Sequence, residues 1–206
     1  GYQYDLGSVW SYTDLYAPFD FPIRKSQAEL EKETARLQSE VAPCYVLAPQ
    51  VGRQQKGVFE EAFRKQLEAY RNDEQFGDVV RNPRKYLDFG TGILDRLYSQ
   101  GIVALEAEHE SGGSNLVLNI VKGNTTQRYT IQKLLTVDKA QSTITDSLPY
   151  SRLVNAEFLL PILPDAVIPN LFYDDSLTQR FRAEQMTGLA AYGGMVMKND
   201  LIIGEG

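Results

Sequence analysis

Residues 114–131, SNLVLNIVKGNTTQRYTI, decide the fold class of this 206-residue chain. The apolar residues Leu116, Leu118 and Ile120 occur at every second position, and this period of two is typical of a β-strand with one buried face. A second run of strand-forming residues follows the Gly123–Asn124 pair, which suits a tight turn. The pattern therefore predicts a β-hairpin, in a chain whose other segments are mostly helical.

A first helix is predicted from Ser26, because Ser26 and Glu29 have the spacing of a capping box. Pro43 ends this helix, and the apolar run Cys44–Leu47 after it predicts a short buried strand. The apolar stripe of the helix repeats every three or four residues and consists of Leu30, Thr34, Leu37 and Val41.

Two further amphipathic helices follow. One runs from about Val58 to Arg71, with an apolar stripe that we interpret as core. A polar stretch from Asn72 to Pro83 leads to the other, and Gly101 lies where a C-terminal cap residue belongs. The stripes are Phe59, Phe63, Leu67 and Tyr70 in the first, and Phe89, Ile93, Leu94 and Leu97 in the second.

The C-terminal part begins with a short helix over Val137–Leu148, for which Asp138 is the predicted cap. Prolines then predict an extended connection up to Asn170, followed by a helix from about Asp175. This helix has Leu177, Phe181 and Met186 on its apolar side and Gly188 near its end, and strands are expected over 195–197 and 201–203. The sum is an α+β fold in a single compact domain, with several amphipathic helices and short β-hairpins.

Composition and charge exclude several classes of protein. A formal net charge of -6 argues against nucleic acid and anionic membranes, whose binding needs clustered Lys and Arg. The most apolar stretch, Phe158–Phe172, contains three prolines and an aspartate, so it is unsuited to span a membrane. Cys44 is the only cysteine, which excludes an intramolecular disulfide. The chain begins at Gly1 without an initiator Met, and we expect it to be a segment of a longer protein.

The only histidine, His109, lies among Glu106, Glu108 and Glu110, which could offer ligands to a divalent metal. Their spacing suits a metal poorly, because residues at i, i+1 and i+2 do not share a helix face, and on a strand Glu108 and Glu110 would point away from His109. We interpret the run as a solvated loop edge. No Ser or Cys nucleophile has a matching base, and Cys44 is interpreted as a buried small apolar residue.

Glycine motifs for phosphate binding are incomplete. Gly90 and Gly92, and likewise Gly193 and Gly194, match neither the dinucleotide-binding nor the P-loop pattern. A site made of carboxylates alone stays open, since the chain has 27 Asp and Glu residues. The pair Asp174–Asp175 is interpreted as helix capping. The residues therefore identify no catalytic, metal-binding or cofactor-binding side chain, and the ligand-binding residues are unknown.

Several segments together resemble the extracytoplasmic domain of seven-transmembrane HD-family hydrolases. They are DLGSVWSYTDLYAPFDFPI (5–23), SEVAPCY (39–45), ILDRLYSQGIV (93–103), PNLFYDDSLTQRFRAEQ (169–185) and GMVMKNDLIIGEG (194–206). The family pattern falls on Ala17, Pro18, Val41, Pro43, Tyr45, Pro169, Asn170, Asp174, Thr178, Arg182, Lys198, Ile202, Ile203 and Glu205. Asn199 replaces the usual Gly after Lys198, and it also suits a turn.

The resemblance implies a bacterial parent in the cytoplasmic (inner) membrane, with this domain on the extracytoplasmic face and a cytosolic HD phosphohydrolase of the cyclic-di-AMP phosphodiesterase type. The chain itself would be a noncatalytic sensor over 1–206 that carries no cofactor and needs no nucleic acid. Its expected parts are an N-terminal arm (1–25), a helical part (26–101), a hairpin insert (114–134) and a C-terminal helix and hairpin (175–206). Its expected partners are a small-molecule or protein ligand and the parent's own membrane helices and HD domain.

A sensor of this kind passes its signal to the membrane helices, and Asp5–Pro18 with Met195–Glu205 are the expected output elements. Two other functions stay open. One is an extracytoplasmic carboxylate- or metal-dependent hydrolase, and the other is a passive dimerisation or assembly module that forms a homo-oligomer. The exposed aromatics that assembly requires would come from Trp10, Tyr12, Tyr16, Phe19 and Phe21.

Overall fold

The computed structural model describes residues 26–32 and 41–191. Within these ranges the helices are α1 (27–32), α2 (Gln50–Ala69), α3 (Gly77–Arg81), α4 (Pro83–Gln100), α5 (Val137–Ser147) and α6 (Asp175–Ala191). The strands are β1 (Cys44–Leu47), β2 (Val103–Ala104), β3 (Val117–Lys122), β4 (Thr125–Thr130) and β5 (Leu171–Tyr173). Helices and a mixture of parallel and antiparallel strand pairs confirm the α+β class.

The chain packs as two compact units. The first contains Ala48–Leu105 and Lys133–Phe172. The second contains Glu106–Gln132 together with the described residues 26–32, 41–47 and 173–191. The predicted division into arm, helical part, hairpin insert and C-terminal part stays a prediction.

The first unit has an apolar core built on α2 and α4. Phe59 and Phe63 of α2 are buried, as the stripe predicted, and Ile93, Leu94 and Leu97 of α4 join them. Burial of such side chains is the main favourable contribution to folding. Helix α2 begins eight residues before the predicted start, because a stretch with two glycines and several polar residues hid the buried Val51.

Gly101 follows α4 with φ 107°, which confirms the predicted glycine cap. The linker after α2 contains a 3-10 turn over Glu74–Phe76 and the short helix α3. The cap of α5 is Thr136, whose hydroxyl accepts from the Lys139 N–H at 3.2 Å, so the predicted Asp138 cap is wrong. Thr136 has the extended backbone that an N-cap position needs, whereas Asp138 already lies inside the helix.

The connection up to Asn170 differs from the predicted extended chain. It contains three 3-10 turns, Leu148–Tyr150, Ala156–Leu159 and Pro164–Ala166, and it buries Phe158, Leu159 and Leu163. Two prolines lie in the first turns of these short helices, where a missing N–H costs no hydrogen bond. Strand β5 follows this connection and pairs in parallel with β2, with Val103 opposite Leu171.

The second unit contains the predicted hairpin. β3 and β4 pair in antiparallel from Val117↔Thr130 to Lys122↔Thr125, and Gly123 in the turn has φ 59°, a conformation that favours glycine. β1 pairs in parallel with β3, with Cys44 opposite Asn119. Both predictions, the hairpin and the strand at Cys44–Leu47, are confirmed.

The capping box at the start of α1 is confirmed. The Ser26 N–H donates to Glu29 Oε1 at 3.0 Å, and the Glu29 N–H donates to Ser26 Oγ at 3.1 Å. In α6, Phe181 is buried and Leu177 packs against the same small core, whereas Met186 is 37% exposed and does not belong to the buried face. The predicted arm 1–25, the stripe residues Thr34 and Leu37, and the strands and hairpin within 195–205 lie outside the described residues.

Candidate functional site

Strand β1 is joined to helix α6 through Thr178. The Cys44 N–H donates to Thr178 Oγ1 at 2.9 Å, and the Thr178 hydroxyl donates to the Asp174 carbonyl at 2.8 Å. The Asp174 N–H in turn donates to the Cys44 carbonyl at 2.9 Å. Because Thr178 is fully buried, its hydroxyl has to find these partners within the protein.

Asp174 caps α6. Its Oδ1 accepts a hydrogen bond from the Leu177 N–H at 2.9 Å, which satisfies one of the free donors of the first turn. Asp175 accepts a hydrogen bond from the Tyr173 hydroxyl at 2.8 Å, and this bond is the main reason that the Asp175 pKa lies below its usual value. The interpretation of Asp174 as a cap is confirmed, and the first turn of α6 is fixed to the end of β5.

Asn119 holds β3 against the segment before β1. Its backbone N–H donates to the Pro43 carbonyl and its Nδ2 donates to the Ala42 carbonyl, both at 2.9 Å. The alternation had placed Asn119 on the polar face of β3, yet its side chain is fully buried. Hydrogen bonding to backbone carbonyls makes this burial tolerable.

The interpretation of Cys44 as a buried residue is confirmed, since none of its surface is exposed. Burial raises the pKa of its thiol from 9.0 to about 11. A thiol with so high a pKa remains protonated near neutral pH, and the thiolate is the nucleophilic form. Cys44 therefore lacks the electrostatic setting of a catalytic cysteine.

His109 lies against two tyrosines of the same unit. The Tyr45 hydroxyl oxygen is 2.6 Å from His109 Nδ1, and the same oxygen accepts from the Glu106 N–H at 3.0 Å. The Tyr173 ring meets the imidazole edge to face, with ring centroids 4.8 Å apart, and packs on the Tyr45 ring at 5.5 Å. These contacts form what we call the His109 cluster: Tyr45, Glu106, His109 and Tyr173.

The interpretation of residues 106–110 as a solvated loop edge is wrong for His109 and right for its neighbours. Glu106, Glu108 and Glu110 are exposed, whereas the His109 side chain is only 14% exposed. The segment Ala107–Asn115 consists of 3-10 turns with a kink at Gly113, and its first turn directs the imidazole inward while the carboxylates of Glu108 and Glu110 face solvent. Within the described ranges, no group of three or more His, Cys, Asp and Glu side chains could hold a metal ion.

Burial dominates the electrostatics of the cluster. It raises the pKa of Tyr45 from 10.0 to about 12, and the nearby Glu106 carboxylate acts in the same direction. The pKa of Tyr173 is also raised, first by burial and then by its hydrogen bond to Asp175. Both hydroxyls therefore stay protonated at neutral pH and can act as hydrogen-bond donors.

The glycines tested for phosphate binding have a different role or lie outside the described chain. A Cβ on Gly90 would overlap the ring of Phe59, so Gly90 allows α4 to approach α2 closely. Gly92 faces open space on the same helix. Gly193 and Gly194 are not among the described residues.

Asn170 is a buried polar residue of the first unit. Its backbone N–H donates to the Ile102 carbonyl and its Oδ1 accepts from the Ile102 N–H, both at 2.8 Å. Its Nδ2 donates to the Tyr98 carbonyl at 3.0 Å. A buried side chain that satisfies backbone groups on the end of α4 and the start of β2 fixes how the chain leaves the helix.

Comparison with protein families decides what kind of domain this is. The family of 7TM-HD extracellular domains matches the chain over residues 7–206. This chain belongs to the 7TM-HD extracellular family. The match places it on the extracytoplasmic side of a membrane protein, and it confirms the resemblance drawn from the sequence segments. The curated proteins and the solved structures that were compared gave no match.

Among the described residues of this 7TM-HD extracellular domain, no helix is long and apolar enough to cross a bilayer. The residues of the family pattern that lie in these ranges are mostly structural. Asn170, Asp174 and Thr178 satisfy backbone groups, and Tyr45 belongs to the His109 cluster. Arg182 is half-buried, and its Nε makes no hydrogen bond within the described part of the chain.

Sequence reasoning missed Tyr45 and Tyr173 as partners of His109. Tyr45 and His109 are 64 positions apart, and they meet only because β1 and the 3-10 segment belong to one unit. Tyr45 did carry a usable signal, because it is a tyrosine within a predicted buried strand, and a buried hydroxyl needs a polar partner.

Proposed function

We propose that this chain is the noncatalytic input domain of a membrane-bound HD phosphohydrolase, and that it regulates a cytosolic cyclic-dinucleotide phosphodiesterase domain of the parent. A small molecule or a protein that binds one conformation of the domain better than another would bias the membrane helices. Such a stimulus shifts the equilibrium only by its differential affinity for the two states, typically about 1 to 3 kcal/mol.

The match over residues 7–206 carries this proposal, because that family is defined as the extracellular part of 7TM-HD proteins. The side-chain geometry supports a noncatalytic role. Thr178, Asp174 and Asn170, which belong to the family pattern, are engaged with backbone groups rather than directed at a substrate. The only histidine is engaged by Tyr45, and the only cysteine is a buried thiol.

The parent would lie in the bacterial cytoplasmic membrane, with this domain outside and the HD domain in the cytosol. Helix α6 would link the two, since it is tied to β1 through Thr178 and leads toward the C-terminal residues. The N-terminal arm Asp5–Pro18 and the hairpin Met195–Glu205 remain the proposed output elements.

The test compares hydrolysis of cyclic di-AMP by the full-length parent and by the isolated chain, each with added Mg²⁺, Mn²⁺ or Zn²⁺. We expect turnover by the parent alone. Turnover by the isolated chain that rises in proportion to its concentration would overturn the noncatalytic role and favour the metal-dependent hydrolase. Sedimentation of the isolated chain addresses the assembly module, which predicts a mass that increases with concentration.

A further inference from the structure

We propose that His109 and Tyr45 form a pH-sensitive latch, which holds the segment Ala107–Asn115 on β1 while His109 is neutral and releases it when His109 is protonated. The inference rests on the geometry of the His109 cluster and does not depend on the proposed function. Histidine is the side chain that ordinarily changes charge between about pH 5 and 8, and this chain has only one.

Counting hydrogens fixes the neutral state. A tyrosine hydroxyl has one hydrogen to donate and can accept through its oxygen. The Tyr45 oxygen accepts from the Glu106 N–H, and among the described residues the hydrogen of this buried hydroxyl has no acceptor other than His109 Nδ1, so it fills the 2.6 Å contact. Nδ1 is then the acceptor, and the imidazole hydrogen lies on Nε2, which is 3.7 Å from Glu108 Oε2.

Protonation removes this arrangement. An imidazolium carries a hydrogen on both ring nitrogens, so Nδ1 becomes a donor facing a hydroxyl that was donating to it. The Tyr45 hydrogen would have to turn away, and within the described residues its hydroxyl has no hydrogen-bond partner besides His109 and Glu106. Tyr45 is fully buried, so water does not replace the lost partner at low cost.

The surrounding charges favour movement of the imidazolium toward solvent. From its own segment the ring faces Glu108, whose side chain is 72% exposed, and Glu106 lies beside Tyr45. From β1 it faces the Tyr45 hydroxyl, and from β5 it faces Tyr173, whose hydroxyl is held by Asp175 at the start of α6. The charged groups near the ring are therefore exposed carboxylates, which attract a positive ring toward solvent.

The side chains of Ala107–Asn115 are mostly exposed. His109 is the one residue of Ala107–Asn115 that is not exposed, and none of the nine is fully buried. When the imidazole leaves Tyr45, the segment loses the contacts of its least exposed residue. We therefore expect low pH to increase the motion of Ala107–Asn115 while the strands keep their pairing.

The experiment is an NMR titration of the 206-residue chain from about pH 8 to pH 5, where the single histidine needs no assignment. We expect the neutral imidazole to show the ¹⁵N shifts of the Nε2–H tautomer. The Glu106 amide and Tyr45 ring signals should move with the histidine's own midpoint, and the heteronuclear NOE of the segment should fall in acid.

Two variants sharpen the test. His109→Gln should remove the transition at Glu106 and Tyr45, whereas Tyr173→Phe keeps the ring contact and the Tyr45 hydroxyl and should retain it. The proposal is overturned if the histidine titrates while the Glu106 and Tyr45 signals stay fixed, or if the neutral ring is the Nδ1–H tautomer. Both of these readouts use the unmodified chain, so a variant that fails to fold does not affect them.

Discussion

The side-chain oxygen of Thr178 in α6 lies 2.9 Å from the backbone nitrogen of Cys44 in β1, across 134 positions of sequence. The same hydroxyl donates to the Asp174 carbonyl, so it completes a closed set of bonds between β1 and the first turn of α6. Both Thr178 and Cys44 are fully buried. The hydroxyl of Thr178 therefore helps to hold α6 on β1, together with the bond from the Asp174 N–H to the Cys44 carbonyl, and it has no access to water.

Replacing this hydroxyl should destabilise the fold. Thr178→Val keeps the shape of the side chain but leaves the Cys44 N–H buried without its partner, which costs about 1 to 3 kcal/mol. Thr187→Val is the matched control, because Thr187 is exposed on the same helix and its change should stay within about 0.5 kcal/mol. Urea unfolding measures both, and equal midpoints for the two variants would contradict the role assigned to Thr178.

Two glycines of α4 should respond in opposite directions to alanine. Gly90→Ala introduces a methyl group into the ring of the buried Phe59 and should cost about 1 to 3 kcal/mol. Gly92→Ala meets open space and should stabilise the helix by up to about 1 kcal/mol, because alanine has the higher helix propensity. Thermal unfolding of the two variants checks this, and a Gly90→Ala variant as stable as Gly92→Ala would refute the close packing of α2 and α4.

Asn155, like Asn170, should contribute to the stability of the first unit through hydrogen bonds to backbone groups. Its Oδ1 accepts from the Asp78 and Val79 N–H groups, and its Nδ2 donates to the Gln75 carbonyl at 2.9 Å. Asn155→Ala should therefore lower the free energy of unfolding by about 1 to 3 kcal/mol. Asn72→Ala, at an exposed position in the turn after α2, serves as the control with an expected loss below about 0.5 kcal/mol. Comparable losses for the two variants in urea unfolding would count against this network.

Alkaline pH should destabilise the chain. Burial raises the pKa of Cys44 from 9.0 to about 11 and that of Tyr86 from 10.0 to about 12, and Asp78 also contributes to the second shift. These groups bind protons more tightly when folded, so their contribution is complete below the unfolded pKa values and is lost as the pH rises through 11 and 12.

The measurement is the free energy of unfolding in urea at about pH 8, 10 and 11, which should fall progressively. Tyr86→Phe should flatten this dependence, because it removes one of the responsible groups. Tyr150→Phe removes a hydroxyl from a side chain that is 85% exposed and should leave the dependence unchanged. A pH dependence that is the same in all three proteins would show that Tyr86 is not a source of it.

Local patterns predicted those parts of the fold that local physics determines. The capping box at Ser26, the hairpin turn at Gly123 and the cap at Gly101 depend on a few neighbouring residues, and all three are confirmed. The burial of Asn119 and the inward turn of His109 depend on partners far along the chain, so periodicity could not predict them.

The most direct test of the input-domain function measures cyclic di-AMP hydrolysis by the full-length parent carrying Thr178→Val, with Thr187→Val as the control. Perturbing the β1–α6 connection should change the hydrolysis rate about fivefold or more in a protein that stays folded, as a coupling free energy of at least about 1 kcal/mol requires. The control should match the unmodified parent. Equal rates for all three proteins would contradict the proposal that this domain regulates the enzyme.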